Sequence, residues 1–488
     1  MIAERNVAAW LDDHAIRRPR HAAIVERGAG ITYAVLAPKV RRTARHLKKQ
    51  GVKPGDIVGV CLRDSAEHLI VLFALARLGA PILPLDWRWT DVEKTRVTQS
   101  FGVGRAVVEA AQPIQGCASF AVDDAWTASI AREEDDIDCA PGGRQPLVLS
   151  LSSGTTGRPK GPMLTHEQFI ARLVIQWVTL GFSQHDRYLS ATPLYFGAGR
   201  SFSMGSLFSG GTVILFPPPY EPQELVDAVA AFQATTLLLV PTQLRRLLAL
   251  GGPEPLLGKL RRLLSTGAML HPEERRQVMA RLCPEFINYY GTTEGGGITV
   301  LLPEHAGEAE RSVGEPVFAT QVQVVDDHGA SLAPGEVGHV RYRGPSVAEG
   351  FYNDSEASQE AFREGWYYPG DLGRVSTDGH LYLVGRTKDV IIRAGINIYA
   401  AEVEQALLEH PAVRDAAAVA WPSRINGEEV AAYVVSAGGV DAETLRAHCR
   451  ARLAPYKVPL GIFFVSELPK SSAGKVLKSE LAAGLPAA

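Results

Sequence analysis

Between Leu147 and Gly161 an apolar run passes into Ser152, Ser153, Gly154, Thr155, Thr156, Gly157 and, two residues further, Pro159 and Lys160. Hydroxyl donors, two glycines that permit close backbone approach and one compact ammonium are the groups that hold a polyphosphate. The loop is not of the Walker A type, because Lys160 is followed by Gly161 and the later pair Gly474-Lys475 by Val476, where that motif needs Ser or Thr. Kinase and GTPase chemistry therefore loses ground. Glu294 follows the turn Gly291-Thr292-Thr293, where a carboxylate can hold a magnesium ion bridging phosphate oxygens. Asp371 offers a carboxylate able to accept two hydroxyls, and Lys475 stands in a Gly/Ser/Pro loop close to the C-terminus.

Regular elements must carry these groups. Thr165 with Gln168 forms a capping-box pattern for a helix after the loop, with apolar Phe169, Leu173 and Trp177 every four residues. Short β-branched runs alternate with helical patterns: Ile57 to Leu62 before Ala66 to Leu78, and Thr212 to Phe216 before Pro222 to Phe232. That alternation predicts an α/β fold, and the apolar run Thr235 to Val240 predicts a parallel strand covered on both faces. Asp123 to Gly143, acidic and then rich in Pro and Gly, reads as a loose surface connection. From Ser312 short strands with Gly and Pro turns (Gln321 to Asp326, Gly338 to Arg343, His380 to Val384) indicate a β-rich subdomain. After Gly385-Arg386 the pattern becomes α+β, with a helix near Ala401 to His410, strands near Ala416 to Ala420 and Val430 to Ser436, and a helix starting at Asp441. The expected organisation is a large domain of mixed and parallel sheets, 1–386, and a small mobile α+β domain, 387–488, hinged at Thr387-Lys388-Asp389.

With 488 residues the chain is long enough for more than one core. Apolar residues at 46%, charged residues at 21% and a net charge of −3 describe a globular protein with no broad basic field to gather nucleic acid or anionic lipid. An anionic ligand must be held by local groups. Five scattered cysteines without CxxC spacing support neither a disulfide framework nor a zinc ribbon and fit a reducing cytoplasm. Neither a secretory signal nor a membrane span is expected.

The loop around Thr155 resembles the phosphate loop of the adenylate-forming superfamily, which comprises acyl-CoA synthetases, peptide-synthetase adenylation domains and luciferases. The motifs Tyr289-Tyr-Gly-Thr-Thr-Glu294, Gly365 to Asp371, Gly385 to Asp389 and Leu468 to Lys475 follow in the family's order, and Gly30 to Tyr33 and Gly79 to Asp86 match as well. The resemblance implies an AMP-forming ligation of a carboxylic acid, fatty or aromatic, to coenzyme A with ATP and Mg2+, through an acyl adenylate. It assigns Glu294 to the metal, Thr293 to the α-phosphate, and Gly267, Ala268, Asn288, Tyr289 and Tyr290 to the adenine, with Gly291 and Thr292 in the same motif. Asp371 is assigned to the ribose diol, assisted by Arg386, and Lys475 to the carboxylate and α-phosphate. Lys388 would be the hinge about which the small domain turns between the two half-reactions, and Arg393, Gly395 and Asn397 would line the pantetheine passage.

Departures from the family pattern are Ala394 for a common Gly, Ile396 for a polar residue, Ala400 for Pro, and Phe196 for a common His. Phe196 and Gly199 would border the acyl pocket, and Arg200 would be able to pair with a second polar group of the acid. Transfer of an acyl or aminoacyl group to a carrier protein is the alternative. Against an amino-acid module stands the lack of an Asp between Pro193 and Gly199 to hold an ammonium. Against a non-catalytic binder stand Lys160, Glu294, Asp371, Arg386 and Lys475.

Overall fold

The computed structural model describes residues 4–485 except 111, 152–158, 253, 269, 306, 395, 424 and 471–474. Two mainly parallel sheets dominate the first part of the chain. In one, strands Phe286–Thr292, Arg262–Ser265, Thr236–Leu239, Arg187–Ser190, Thr212–Leu215 and Ala22–Glu26 run side by side in parallel, and antiparallel strands finish both edges. In the other, Ala118–Val122, Arg105–Glu109, Val58–Cys61, Ile82–Pro84 and Pro146–Leu149 are parallel, and Met163–Thr165 closes the order antiparallel. All four residues of Thr236–Leu239 are buried between parallel neighbours, as the continuous apolar run predicts.

Helix Ala66–Leu78 shares one core with Ile24 and Val213 of the first sheet and Val58, Val60 and Val107 of the second. Every residue but Glu67 is buried, because a helix apolar all round must be covered all round. Ser65 caps its start by accepting from the His68 N–H, and Gly79, at φ +70°, ends it in the left-handed conformation that costs glycine nothing.

The β-rich part is antiparallel: Gln321–Val325, Gly338–Arg343, Asp371–Val375 and Leu381–Arg386, with Asp371 directly opposite Arg386. A single 3₁₀ turn, Thr387–Asp389, leads to a five-stranded sheet of Val390–Arg393, Ile396–Tyr399, Val413–Ser423, Gly427–Ser436 and Gly461–Phe464. Helices Ala400–Leu408 and Ala442–Arg450 pack on it, the latter capped by Asp441. Among the described residues no sheet is shared across that turn. The molecule is thus a large α/β part with a β-rich subdomain, followed by a smaller α+β part. Among the described residues no helix is long and apolar enough to cross a membrane.

Two expectations need correction. Asp123 to Gly143 is not merely a loose connection: Asp124–Ala131 is a helix capped by Asp123, and the acidic residues after it dock on helix Tyr33–Lys49. Lys49 pairs with Glu133 at 2.6 Å, Arg45 with Glu134 at 3.1 Å and Arg41 with Asp135 at 2.9 Å, a row of cations one turn apart that composition alone does not reveal. Trp177 is 49% exposed, although Phe169 and Leu173 are buried. A step of four residues overshoots the 3.6-residue turn, so the third member of the series drifts off the buried stripe.

Candidate active site

Successive strands of a parallel sheet end on one edge, and the loops that follow them face a common space. Strand Pro146–Leu149 delivers Ser150 to the loop expected to hold phosphate, whose Ser152, Ser153, Gly154, Thr155, Thr156 and Gly157 lie outside the described residues. Both stems of the loop are anchored. A Cβ on Gly161 would stand 2.0 Å from the Ser150 carbonyl oxygen, so only glycine lets the stems cross, and the Gly161 carbonyl accepts from the Tyr352 N–H at 2.9 Å. Lys160 Nζ lies 5.0 Å from the centre of the Phe351 ring. The capping box forms as its spacing predicts, with the Gln168 N–H donating to Thr165 Oγ1 at 3.2 Å and the Thr165 N–H to Gln168 Oε1 at 3.0 Å.

Strand Phe286–Thr292 separates residues that were grouped together above, because alternate side chains of a strand face opposite sides. Tyr290 donates its hydroxyl to Asp371 Oδ2, and Asn288 shares that face. Tyr289 is buried on the other face, above Gly297 and edge-on to Phe202 with ring centres 5.9 Å apart, so it does not flank an adenine site on the Tyr290 face. Gly267, at φ +95°, and Ala268 are exposed just after strand Arg262–Ser265. Gly291 passes so near the returning strand that a Cβ would meet the Gly296 carbonyl oxygen at 2.4 Å. The Thr292 hydroxyl bonds to the Tyr342 hydroxyl and accepts from the Gly295 N–H at 2.9 Å, which fixes the turn carrying Thr293 and Glu294.

Glu294 is 7% exposed, and its carboxylate lies beside the Tyr367 hydroxyl, whose pKa is raised first by burial and then by that negative charge. Asp371 is equally buried and receives Arg386 Nε on Oδ1 at 2.7 Å, so protein donors occupy both of its oxygens. A carboxylate has about four lone-pair positions, which leaves room for a diol. Lys475 comes to the same place from the far end of the chain. The residue as a whole is exposed, yet burial of its ammonium end is the largest influence on it and lowers its pKa. Arg386 adds to that lowering, while Asp371 and Glu294 oppose it.

Arg172 was not anticipated from its position in the helix pattern. Its buried guanidinium donates to the carbonyls of Glu294 at 2.6 Å, Thr293 at 3.1 Å and Ser346 at 3.1 Å. It therefore fastens the Thr-Glu turn from behind. Phe196 is half-buried against Tyr195, with ring centres 4.6 Å apart. Gly199 is a packing glycine, since a Cβ would stand 2.2 Å from the Pro193 carbonyl oxygen. Arg200 is buried and commits both terminal nitrogens to the protein: Nη2 to Ser150 Oγ at 3.0 Å, and Nη1 to the carbonyls of Tyr195 at 3.1 Å and Leu194 at 3.3 Å. Three of its five N–H donors are thereby used within the protein, and Nε and one Nη2 hydrogen remain for any further partner. Lys388 is exposed in the 3₁₀ turn, Arg393 pairs with Glu429 at 2.6 Å, Asn397 is exposed, and Gly395 lies outside the described residues. Ala394 adopts φ +49°, which explains why glycine suits that hairpin turn.

Elsewhere, His305, Glu315 and His380 bring possible metal ligands within 4.8 Å of one another. The Leu302 N–H donates to His305 Nδ1 at 3.2 Å, so the neutral ring carries its proton on Nε2, the nitrogen 3.7 Å from Glu315. That lone pair is not offered to a metal, and the cluster is a structural contact between the large sheet and the β-rich part.

Comparison with known proteins places the whole chain among relatives of known kind. Feruloyl-CoA synthase of Amycolatopsis sp is 33% identical over 98% of both chains, and 2-succinylbenzoate–CoA ligase of Bacillus licheniformis is 31% identical over 97% of this chain and 98% of that one. Among solved structures, MatB from Rhodopseudomonas palustris, 27% identical over 98% of both chains, superposes with a TM-score of 0.90 in its ATP-bound form and 0.80 in its apo form. The model of the AMP-binding enzyme family matches residues 11–352, and that of the AMP-binding enzyme C-terminal domain matches 402–475. The chain belongs to the AMP-binding enzyme family.

Proposed function

We propose that this protein is an AMP-forming acid–CoA ligase acting on an aromatic carboxylic acid. The observation that carries the reading is that Lys475, from the far end of the chain, lies within the electrostatic reach of Asp371, Arg386 and Glu294, of which Arg386 and Asp371 are paired at 2.7 Å. Closer superposition on the ATP-bound form of MatB than on its apo form supports a pose suited to the first half-reaction. The relatives named for feruloyl-CoA and 2-succinylbenzoate support an aromatic acid over a fatty one.

In this reading Asp371, aligned by Tyr290 and Arg386, takes the ribose diol of ATP, and the Tyr290 face takes the adenine. Thr293 and the loop ending at Lys160 take the phosphates. Magnesium, when bound, supplies charge to neutralise the triphosphate, and the buried Glu294 carboxylate fits it. Lys475 offsets the negative charge gathered where the acid carboxylate meets the α-phosphorus, an electrostatic role commonly worth about 3 kcal/mol. Phe196 gives the acyl site an apolar wall. The small domain, 387–488, turns about Lys388 to withdraw Lys475 and bring the hairpin of Arg393, Gly395 and Asn397 to the coenzyme A thiol.

The test is pyrophosphate release and thioester formation across hydroxycinnamic, arylacetic, succinylbenzoic and fatty acids, with and without coenzyme A. Thioester formed only with coenzyme A, and best from an aromatic acid, is the expected result. Acid-dependent pyrophosphate release with no thioester from any acid would defeat the ligase assignment.

A further inference from the structure

Arg200 presents a buried charge without a counter-charge. It is 3% exposed, its hydrogen bonds go to one hydroxyl and two carbonyls, and its Nε is buried without a partner. Arg172, 8% exposed, is likewise bonded only to carbonyls. Among the described residues neither guanidinium has a carboxylate within ion-pair distance, whereas the comparably buried Arg262 has Asp186 at 3.0 Å. Burial lowers the Arg200 pKa to about 9, and the neighbouring Arg172 adds to the effect; burial lowers that of Arg172 to about 10. The Glu294 carboxylate partly offsets Arg172, whereas the charge acting on Arg200 is that of Arg172, so burying these two like charges is costly until a further anion joins them.

The two arginines also hold the two segments that the phosphates must meet. Arg200 grips Ser150 at the entry to the phosphate loop, and Arg172 grips Thr293 and Glu294. We propose that Arg200 is a positioning residue for polyphosphate: with Arg172 it forms a buried positive pair, joined to Ser150 and to the Thr293-Glu294 turn, whose charge the bound polyphosphate balances. This rests on the proposed function, since it presumes that ATP is the nucleotide substrate. The guanidinium acts through Ser150 and through its field, and no atom of it need touch the phosphate.

Arg200→Gln retains amide donors for the carbonyls while removing the charge, and Arg200→Lys retains the charge while losing the fork of donors. Thermal shift of the full chain is measured against inorganic pyrophosphate with Mg2+, ATP with Mg2+, and cinnamate alone. In the native chain pyrophosphate and ATP raise the melting temperature. Arg200→Gln is expected to weaken pyrophosphate and ATP binding at least tenfold, about 1.4 kcal/mol, with no loss of melting temperature in the unliganded protein. Arg200→Lys is expected to melt lower than native when unliganded yet bind pyrophosphate within about threefold of native. If Arg200→Gln does not fold, Arg200→Lys decides, because a loss of pyrophosphate binding equal to or beyond tenfold with the charge retained overturns the proposal. It is also overturned if Arg200→Gln melts lower but binds polyphosphate as native does, or if it loses the response to cinnamate while keeping that to pyrophosphate, which would assign the charge to the acid. A native chain that binds neither ATP nor pyrophosphate would instead refute the proposed function.

Discussion

Tyr290→Phe removes one hydroxyl from the Asp371 site and leaves the rest in place. Asp371 then keeps Arg386 Nε at 2.7 Å on Oδ1 but has no protein donor on Oδ2, where the Tyr290 hydroxyl now bonds. A hydrogen bond to a charged group is worth about 1.5–3 kcal/mol, and the carboxylate is buried enough that water replaces it only in part. If Asp371 receives the ribose diol, its misalignment weakens the ground state and transition state together, so KM for ATP rises roughly 10- to 100-fold while kcat stays within about threefold. Pyrophosphate release measured against ATP concentration at saturating acid reads both constants. A KM within twofold of native, or a collapse of kcat at constant KM, would refute the alignment argument.

Four further outcomes are expected. Lys475→Ala lowers the rate of adenylation about 100- to 1000-fold with little change in ATP binding, and an unaffected first half-reaction in a single-turnover assay would exclude the proposed role. Because burial lowers the Lys475 pKa and the ammonium form is the active one, the alkaline limb of the adenylation pH profile falls below the ordinary lysine value of about 10.4; a limb at or above that value contradicts it. Burial raises the Asp64 pKa to about 6 from 3.8, so the stability it contributes is present below pH 3.8 and lost as the pH rises through 6. Asp64→Asn can still accept from the Leu194 N–H, now at 2.8 Å, and its stability relative to native should grow by up to about 3 kcal/mol between pH 4 and 7 in urea melts, an opposite trend being disproof. Gly199→Ala places a Cβ against the Pro193 and Thr192 carbonyl oxygens at 2.2 and 2.6 Å and should cost about 1–3 kcal/mol in denaturant unfolding; a neutral effect would show that the loop yields freely.

Local order along the chain was enough to establish the α/β grammar, the helix Ala66–Leu78 to the residue, the Thr165 capping box and the order of the ligand motifs, because caps, turns and periodicity act over a few residues. Lys160, Glu294, Asp371, Arg386 and Lys475 stood out for the same reason: each stands in a short ordered motif, and the structure pairs two of them, Asp371 and Arg386. Which face each residue takes was not. Tyr289 and Tyr290 are adjacent and alike, and only the pleat of a strand with a core on one side sends one inward and the other to Asp371. The acidic residues after Asp123 looked unattached until helix Tyr33–Lys49 brought its cations beside them. Nothing in the sequence signalled that Arg172 and Arg200 would be buried against backbone carbonyls, since arginine within a helical pattern ordinarily faces water. Their partners are carbonyls and a hydroxyl up to 174 residues away, and such contacts exist only once the packed sheets have excluded the solvent that would otherwise satisfy every one of those groups.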